Sequence, residues 1–83
     1  MTNEIIEKFI ETPTRRNKRV NIHFKTRNTI TGVFIVSDDY TEMKSKNLWR
    51  IVTQSRLNDW QQSKDLSFSR LFNGAEFTRL SDD

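Results

Sequence analysis

The sequence predicts an all-β domain with one N-terminal α-helix, in which five short strands form a strongly bent antiparallel sheet. An apolar pattern with helical spacing occupies residues 3–12 and stops at Pro13. From Val20 onward, apolar and polar residues alternate, and turn signals recur within residues 20–81. The length of 83 residues suits a single domain, so residues 1–83 are expected to form one unit.

The predicted helix has one apolar face. Thr2 or Asn3 is expected to cap its start, and Pro13 prevents it from continuing. A helix of about ten residues is unstable alone in water, so it must lie against the sheet. Its apolar face is formed by Ile5, Ile6, Phe9 and Ile10.

A basic connector, residues 14–19, joins the helix to the first strand. Its cations are Arg15, Arg16, Lys18 and Arg19. They favour either contact with phosphate groups or a solvated linker, and the sequence leaves both open. The formal net charge of +3 likewise suits a polyanionic partner or an ordinary soluble surface.

The strands follow from alternation and turn residues. Val20, Ile22 and Phe24 mark the first strand, and a turn at 27–28 leads to the second, residues 29–37. Gly32 in the middle of this strand favours a sharp bend of the sheet. The polar stretch 55–65 is expected to be a loop with a helical turn. The third strand is expected at 40–53, either continuous or broken near 46–47. The fourth is expected at 66–72 and the last at 75–81, joined by a turn at Asn73-Gly74.

Several classes of site are disfavoured by composition. The chain has no cysteine, one histidine and two glycines, so disulfides, zinc sites, hydrolytic triads and Gly-rich phosphate loops lack their parts. We therefore expect no enzyme activity, no cofactor and no metal site. No apolar run approaches the about 20 residues of a membrane-spanning helix, and no signal-peptide core is present. The expectation is a complete cytoplasmic protein with no membrane association.

Two spaced motifs resemble those of the Sm-like (Lsm and Hfq) superfamily over about residues 3–81. The first combines alternating apolar positions, a bend glycine and an acid: Val20, Ile22, Phe24, Lys25, Ile30, Gly32, Phe34 and Asp38. The second places apolar residues around a turn glycine: Phe72, Gly74, Phe77 and Leu80. The resemblance implies a small SH3-like barrel with the helix over one open end.

The resemblance also implies a closed homo-oligomeric ring, because Sm-like subunits pair the edge strand of one with that of the next. The edges here would be residues 66–72 and 75–80, forming a head-to-tail contact. The candidate interface residues are Phe68, Phe72, Phe77 and Leu80. Each of these side chains can instead fill the core of its own subunit.

Sm-like rings bind single-stranded RNA on loops near the pore. Tyr40 stands where the family stacks an aromatic residue on a base, while Asp38 is expected to brace the turns. Glu42 stands where the family usually has asparagine, and Asn73, before Gly74, where it has arginine. These departures put uridine-tract recognition in doubt. Basic residues elsewhere are then candidates for one RNA-binding face: the connector cations, with Lys25, Arg27, Lys44, Lys46 and Arg50.

Three interpretations therefore remain. The first is a non-enzymatic RNA-binding ring. The second is a structural or protein-binding ring that has lost uridine-tract recognition, which Glu42 and Asn73 favour. The third is an SH3-like monomer that binds peptides through an exposed aromatic groove. The sequence does not encode the number of subunits.

Overall fold

The computed structural model describes every residue from Met1 to Asp83. Short 3-10 turns occupy Pro13–Arg15, Gln54–Arg56, Leu66–Phe68 and Gly74–Glu76. None of the helices has the length and apolar character needed to cross a membrane. The longer elements, in chain order, are α1 (Asn3–Ile10), β1 (Val20–Phe24), β2 (Ile30–Phe34), α2 (Tyr40–Ser45), β3 (Leu48–Thr53), α3 (Leu57–Ser63), β4 (Arg70–Asn73) and β5 (Phe77–Asp82).

The five strands form one antiparallel sheet in the order β4-β3-β2-β1-β5, which confirms the predicted five-stranded antiparallel sheet. The sheet is open, and its two edges are β4 and β5. It is also curved: the ring of Phe24 in β1 lies 5.9 Å from that of Phe72 in β4, although two strands separate them in the sheet. Gly32 permits a close approach, because a Cβ there would lie 2.7 Å from the Val52 carbonyl oxygen.

Helix α1 is capped and terminated as its sequence predicts. The backbone N–H of Ile5 donates to the Thr2 hydroxyl at 3.4 Å. The helix ends at Ile10, two residues before the predicted limit, and a 3-10 turn begins at Pro13. Ile6 and Ile10 are buried, whereas Ile5 is 54% exposed, so the buried face is narrower than predicted.

Two apolar clusters lie on opposite faces of β2 because successive side chains in a strand alternate. Phe34 belongs to the main core, together with buried residues of α1 and the other strands. Val33, Ile35 and Val52 form a smaller cluster that Leu57 and Trp60 partly cover. This confirms the helical turn predicted within residues 55–65, where Leu57–Ser63 form α3.

Two of the predicted strands are wrong over part of their length. Residues 40–45 form α2, because Tyr40, Met43 and Lys44 have helical spacing and are all partly buried. Residues 66–68 form a 3-10 turn whose start is capped, since the Asp65 carboxylate accepts from the Ser67 N–H at 2.9 Å. The fold therefore combines a five-stranded sheet with three short α-helices and is not all-β.

Candidate nucleic-acid interface

A groove of about 430 Å³ lies where the end of α1, the basic connector and the start of α2 meet. We call it the connector groove. Its apolar floor is formed by Ile10, Val20 and Phe34, all buried side chains of the core. Val36, which is 73% exposed, adds an apolar surface beside Tyr40. The groove therefore offers a hydrophobic surface within a basic rim.

The positive charge that remains unpaired in this groove comes from Arg16 and Lys18. Both side chains line the groove and are exposed, and neither forms a salt bridge. The backbone of Asn17 between them has a φ of 58°, a left-handed conformation that asparagine tolerates. This turn keeps both cations at the groove with their charge available to an anion.

The other two connector cations are bound to the C-terminal residues. Arg15 Nε and Nη2 donate to the Asp82 carboxylate at 2.8 and 3.4 Å, and the guanidinium lies 3.9 Å from the Phe9 ring centroid. The hydrogen bond from Arg15 holds the pKa of Asp82 below its usual range. Arg19 forms a salt bridge of 3.0 Å with Asp83 and does not line the groove. The four predicted phosphate contacts therefore divide into two free and two paired cations.

Tyr40 lies in the groove at the first residue of α2, where it is half-buried. Its hydroxyl donates to Glu11 Oε2 at 2.5 Å, and its ring packs edge-on against Trp49 at 6.1 Å. Burial, followed by the hydrogen bond to Glu11, raises the pKa of Tyr40 well above its usual value. The hydroxyl thus remains a neutral donor at physiological pH.

Glu11 places a negative charge in the same groove, and two neighbouring groups contact its carboxylate. Besides the Tyr40 hydroxyl, the Lys44 ammonium lies 3.7 Å from the Glu11 carboxylate and 2.5 Å from that of Glu7. The same ammonium lies 5.1 Å from the Tyr40 ring centroid. Glu11 therefore orients Tyr40, and its charge is offset only in part, because the Lys44 ammonium also pairs with Glu7.

The remaining residues that the sequence assigned to RNA binding do not line the connector groove. Asn73 lines a separate cavity, and its side-chain oxygen accepts from the Ala75 N–H at 2.9 Å. Gly74 is buried, and a Cβ there would lie 2.6 Å from Ile6 Cδ1. Glu42 is exposed on α2, 3.6 Å from the Lys46 ammonium. The structure therefore brings Tyr40 together with connector cations, and Asn73 belongs to a different surface.

The turn before α2 is braced by Asp39, whereas the sequence pointed to Asp38. Arg50 Nη2 donates to Asp39 Oδ2 at 2.6 Å, and the Ser37 hydroxyl donates to the other carboxylate oxygen. Asp38 is exposed and has no side-chain partner. Sequence reasoning also missed Glu11 and Val36 as groove residues. The spacing from Tyr40 to Glu11 spans 29 positions, so no local pattern could reveal their contact.

The four predicted interface residues are not equally available to a second subunit. Phe72, Phe77 and Leu80 are buried in the core of the single chain, the alternative that the sequence left open. Phe68 is half-buried. Two large apolar side chains are exposed near this edge: Leu71 lies in the edge strand β4, and Leu66 lies in the 3-10 turn before it.

Comparison with known proteins gave no relative: no family model matches the chain, and no curated protein or solved structure matches it significantly.

Proposed function

We propose that this protein is a non-enzymatic RNA-binding module that works as a closed homo-oligomeric ring and holds single-stranded RNA in the connector groove. The observation that carries the proposal is the position of Arg16, Lys18 and Tyr40 around one groove with an apolar floor. Free cations and an aromatic ring over an apolar surface are the combination that single-stranded nucleic acids bind.

Each component has a counterpart in a ribonucleotide. The free Arg16 and Lys18 side chains suit phosphate oxygens, and arginine can bind one with two hydrogen bonds. A base can lie against the Tyr40 ring and the exposed Val36 side chain, which together offer a sequence-tolerant surface. The two unpaired cations Arg16 and Lys18 face a single groove carboxylate, that of Glu11, so the groove keeps a positive potential toward the phosphate chain.

The ring is supported by the two open edges of the sheet. Strands β4 and β5 each have one neighbour, so the backbone groups on their outer sides are free to pair. Pairing β4 of one subunit with β5 of the next is a head-to-tail contact, which closes when the rotation permits. Leu71, 46% exposed on β4, would be covered by such a contact.

A structural or protein-binding ring is the second candidate function, and one contact favours it. The Asn73 side-chain oxygen already accepts from the Ala75 N–H, and Glu42 brings a negative charge to α2. The Asn73 oxygen is then not free to accept from the ring N–H of uracil, and the Glu42 carboxylate has no donor for the uracil carbonyls. In this case the edge strands would assemble while the connector groove bound no RNA.

The test is RNA affinity as a function of salt for an Arg16→Ala/Lys18→Ala variant. We expect weaker binding of a fluorescent oligoribonucleotide and a smaller salt dependence. For single strands, each lost phosphate contact reduces the magnitude of the slope of log affinity against log salt by about 0.7. In the double variant this magnitude should therefore fall by about 1.4 for each groove that RNA occupies.

Lys8→Ala/Arg56→Ala is the matched control, since it removes the same charge from exposed residues outside the groove. It should bind RNA nearly as the wild type does. Equal losses in both double variants would mean that net charge alone attracts RNA. No binding by the wild type would reject the RNA-binding function and leave the structural or protein-binding ring.

A further inference from the structure

A second cavity, of about 440 Å³, lies where the turn after β1 faces the edge strand β4. We call it the seam pocket, because it lies where the curved sheet stays open. Six of its lining residues carry the argument: Phe24, Arg27, Arg70, Phe72, Asn73 and Glu76. None of them lines the connector groove.

Two arginines converge on one aromatic ring in this pocket. The guanidinium carbons of Arg27 and Arg70 lie 5.9 and 5.4 Å from the Phe72 ring centroid, and that of Arg27 lies 5.2 Å from Phe24. Neither arginine forms a salt bridge, and both are exposed. Two unpaired cations beside one ring repel each other, and a bound anion would relieve this repulsion.

The position of these arginines also determines what they can recognise. A guanidinium held beside an aromatic ring keeps its N–H donors free at its edge, in a fork that matches the oxygens of a phosphate. An exposed guanidinium is also a flat group on which a base can stack. The two arginines can therefore bind an anionic group and stack against a planar group of the same ligand.

Glu76 adds an acceptor to the same pocket. It is exposed and has no salt bridge, so its carboxylate can accept hydrogen bonds from a ligand. The Asn73 side-chain nitrogen has no hydrogen-bond partner and remains a donor. A carboxylate repels phosphate but attracts an amino group, so the pocket distinguishes between the two ends of a nucleotide.

We propose that the seam pocket is a second ribonucleotide subsite, in which Arg27 and Arg70 bind the phosphate and Glu76 accepts from a base amino group. The inference rests on the proposed RNA-binding function for its ligand class and deepens it with a base preference. An acidic peptide would satisfy the two arginines, but it would leave the stacking surface unused and would be repelled by Glu76.

Cytidine and uridine monophosphates are the probes, because they differ at one position of the base edge, an amino group against a carbonyl. Each is titrated into ¹⁵N-labelled wild-type protein while the Nε–H signals of the arginines are followed by NMR. We expect the signals of Arg27 and Arg70 to shift, with tighter binding of cytidine monophosphate. Arg27→Ala or Arg70→Ala should each weaken binding about tenfold, the loss of one charge-assisted contact.

Lys8→Ala is the matched control, since it removes an exposed cation on α1 that does not line the pocket. It should bind cytidine monophosphate as the wild type does. Glu76→Gln should remove or reverse the preference for cytidine, because an amide can also donate to a uracil carbonyl. Shifts that are equal for both nucleotides, or absent, would overturn the proposal.

The result is independent of the connector groove. If the seam pocket binds no nucleotide while Arg16→Ala/Lys18→Ala still weakens RNA binding, only the second subsite is rejected. If oligoribonucleotides do not bind at all but cytidine monophosphate shifts Arg27 and Arg70, the seam pocket is a mononucleotide site and the proposed RNA function is rejected.

Discussion

At the scale of single residues, Tyr40 has two groups whose roles substitution can separate. Its hydroxyl bonds to Glu11, and its ring packs against Trp49 and lines the connector groove. We expect Tyr40→Phe to bind RNA as the wild type does and to lose about 1 kcal/mol of folding free energy. Tyr40→Leu should weaken RNA binding by about 1–3 kcal/mol, the cost of one lost base stack.

Fluorescence anisotropy with a labelled oligoribonucleotide measures the binding, and urea unfolding measures the stability. Tyr40→Phe is the control for the ring, because it changes only the hydroxyl. If Tyr40→Leu bound RNA as tightly as Tyr40→Phe, the stacking role would be rejected and Tyr40 would be a packing residue that joins α2 to α1.

Asp39 makes the folding stability depend on pH in the acidic range. The hydrogen bonds from Ser37 and then Arg50 hold the pKa of Asp39 below its usual range in the folded protein. The unfolded chain therefore binds a proton more readily, so stability is lost as pH falls from about 4 through the lower, folded pKa. Asp39→Asn should be less stable than the wild type at neutral pH, and the difference should narrow below about pH 4.

Asp38→Asn is the control, since Asp38 is exposed and has no side-chain partner. It should follow the wild-type curve in urea unfolding repeated between neutral and acidic pH. A difference between Asp39→Asn and the wild type that stayed constant across this range would show that the Asp39 contacts contribute nothing to the acid sensitivity.

Local rules predicted some residue roles and not others. Thr2 and Pro13 act on the next few residues, so capping and termination could be read from the sequence. The choice between Asp38 and Asp39 depends on Arg50, which is 11 positions away and lies beside the turn because β3 pairs with β2. The side chains of two adjacent acidic residues in one turn point in different directions, and the residues of the turn do not indicate which of the two will face Arg50.

At the scale of elements, the loops between β2 and β4 were the hardest to predict. The strand β3 and the helical turn of α3 were predicted, but the strand predicted at 40–53 also covered the residues that form α2. Aromatic and β-branched residues favour strands only when sheet neighbours surround them. Here Tyr40 packs against Trp49 and bonds to Glu11 of α1, and these tertiary contacts determine the helix.

Asn47 connects α2 to β3 and fixes the turn at Gly74. Its φ is 58°, its side chain accepts from Trp49 Nε1 at 2.8 Å and donates to the Met1 carbonyl, and its own carbonyl accepts from the Gly74 N–H. Asn47→Ala strains the backbone and leaves the nearly buried Trp49 donor unpaired, so we expect a loss of about 2–4 kcal/mol of folding free energy.

Asn17→Ala is the matched control, because Asn17 has the same φ of 58° and no side-chain hydrogen bond. It should lose only the backbone contribution, about 1–2 kcal/mol. Asn47→Gly should fall between the two, since glycine accepts the backbone angle but not the hydrogen bonds. Equal losses for Asn17→Ala and Asn47→Ala in urea unfolding would show that the Asn47 side chain contributes no stability.

At the scale of the whole molecule, the strands of the sheet could be predicted from periodicity, whereas the groove could not. Alternation identifies which strands exist, and the bend at Gly32 allows the sheet to curve until Phe24 meets Phe72. The connector groove depends on how α1, the connector and α2 meet, and α2 was not predicted. The sequence listed the right cations without showing that Arg15 and Arg19 are bound to Asp82 and Asp83.

A test of the proposed ring requires a substitution that changes the edge of the sheet and leaves the core unchanged. Phe77 is 1% exposed inside one chain, so Phe77→Asp would unfold the protein and says nothing about assembly. Leu71 is 46% exposed on β4, and Leu71→Glu should leave the fold intact while placing a charge at the proposed contact.

Light scattering should therefore give the wild type as a discrete multiple of 9.9 kDa and Leu71→Glu as a 9.9 kDa monomer with the same circular dichroism. Ile5→Glu is the control, since Ile5 is also apolar and 54% exposed but lies on α1 and not on an edge strand. It should assemble as the wild type does, because among the strands only β4 and β5 have an unpaired side. A wild-type mass of 9.9 kDa would reject the ring, whereas a multimer that Leu71→Glu leaves whole would show that the subunits meet through a surface other than β4.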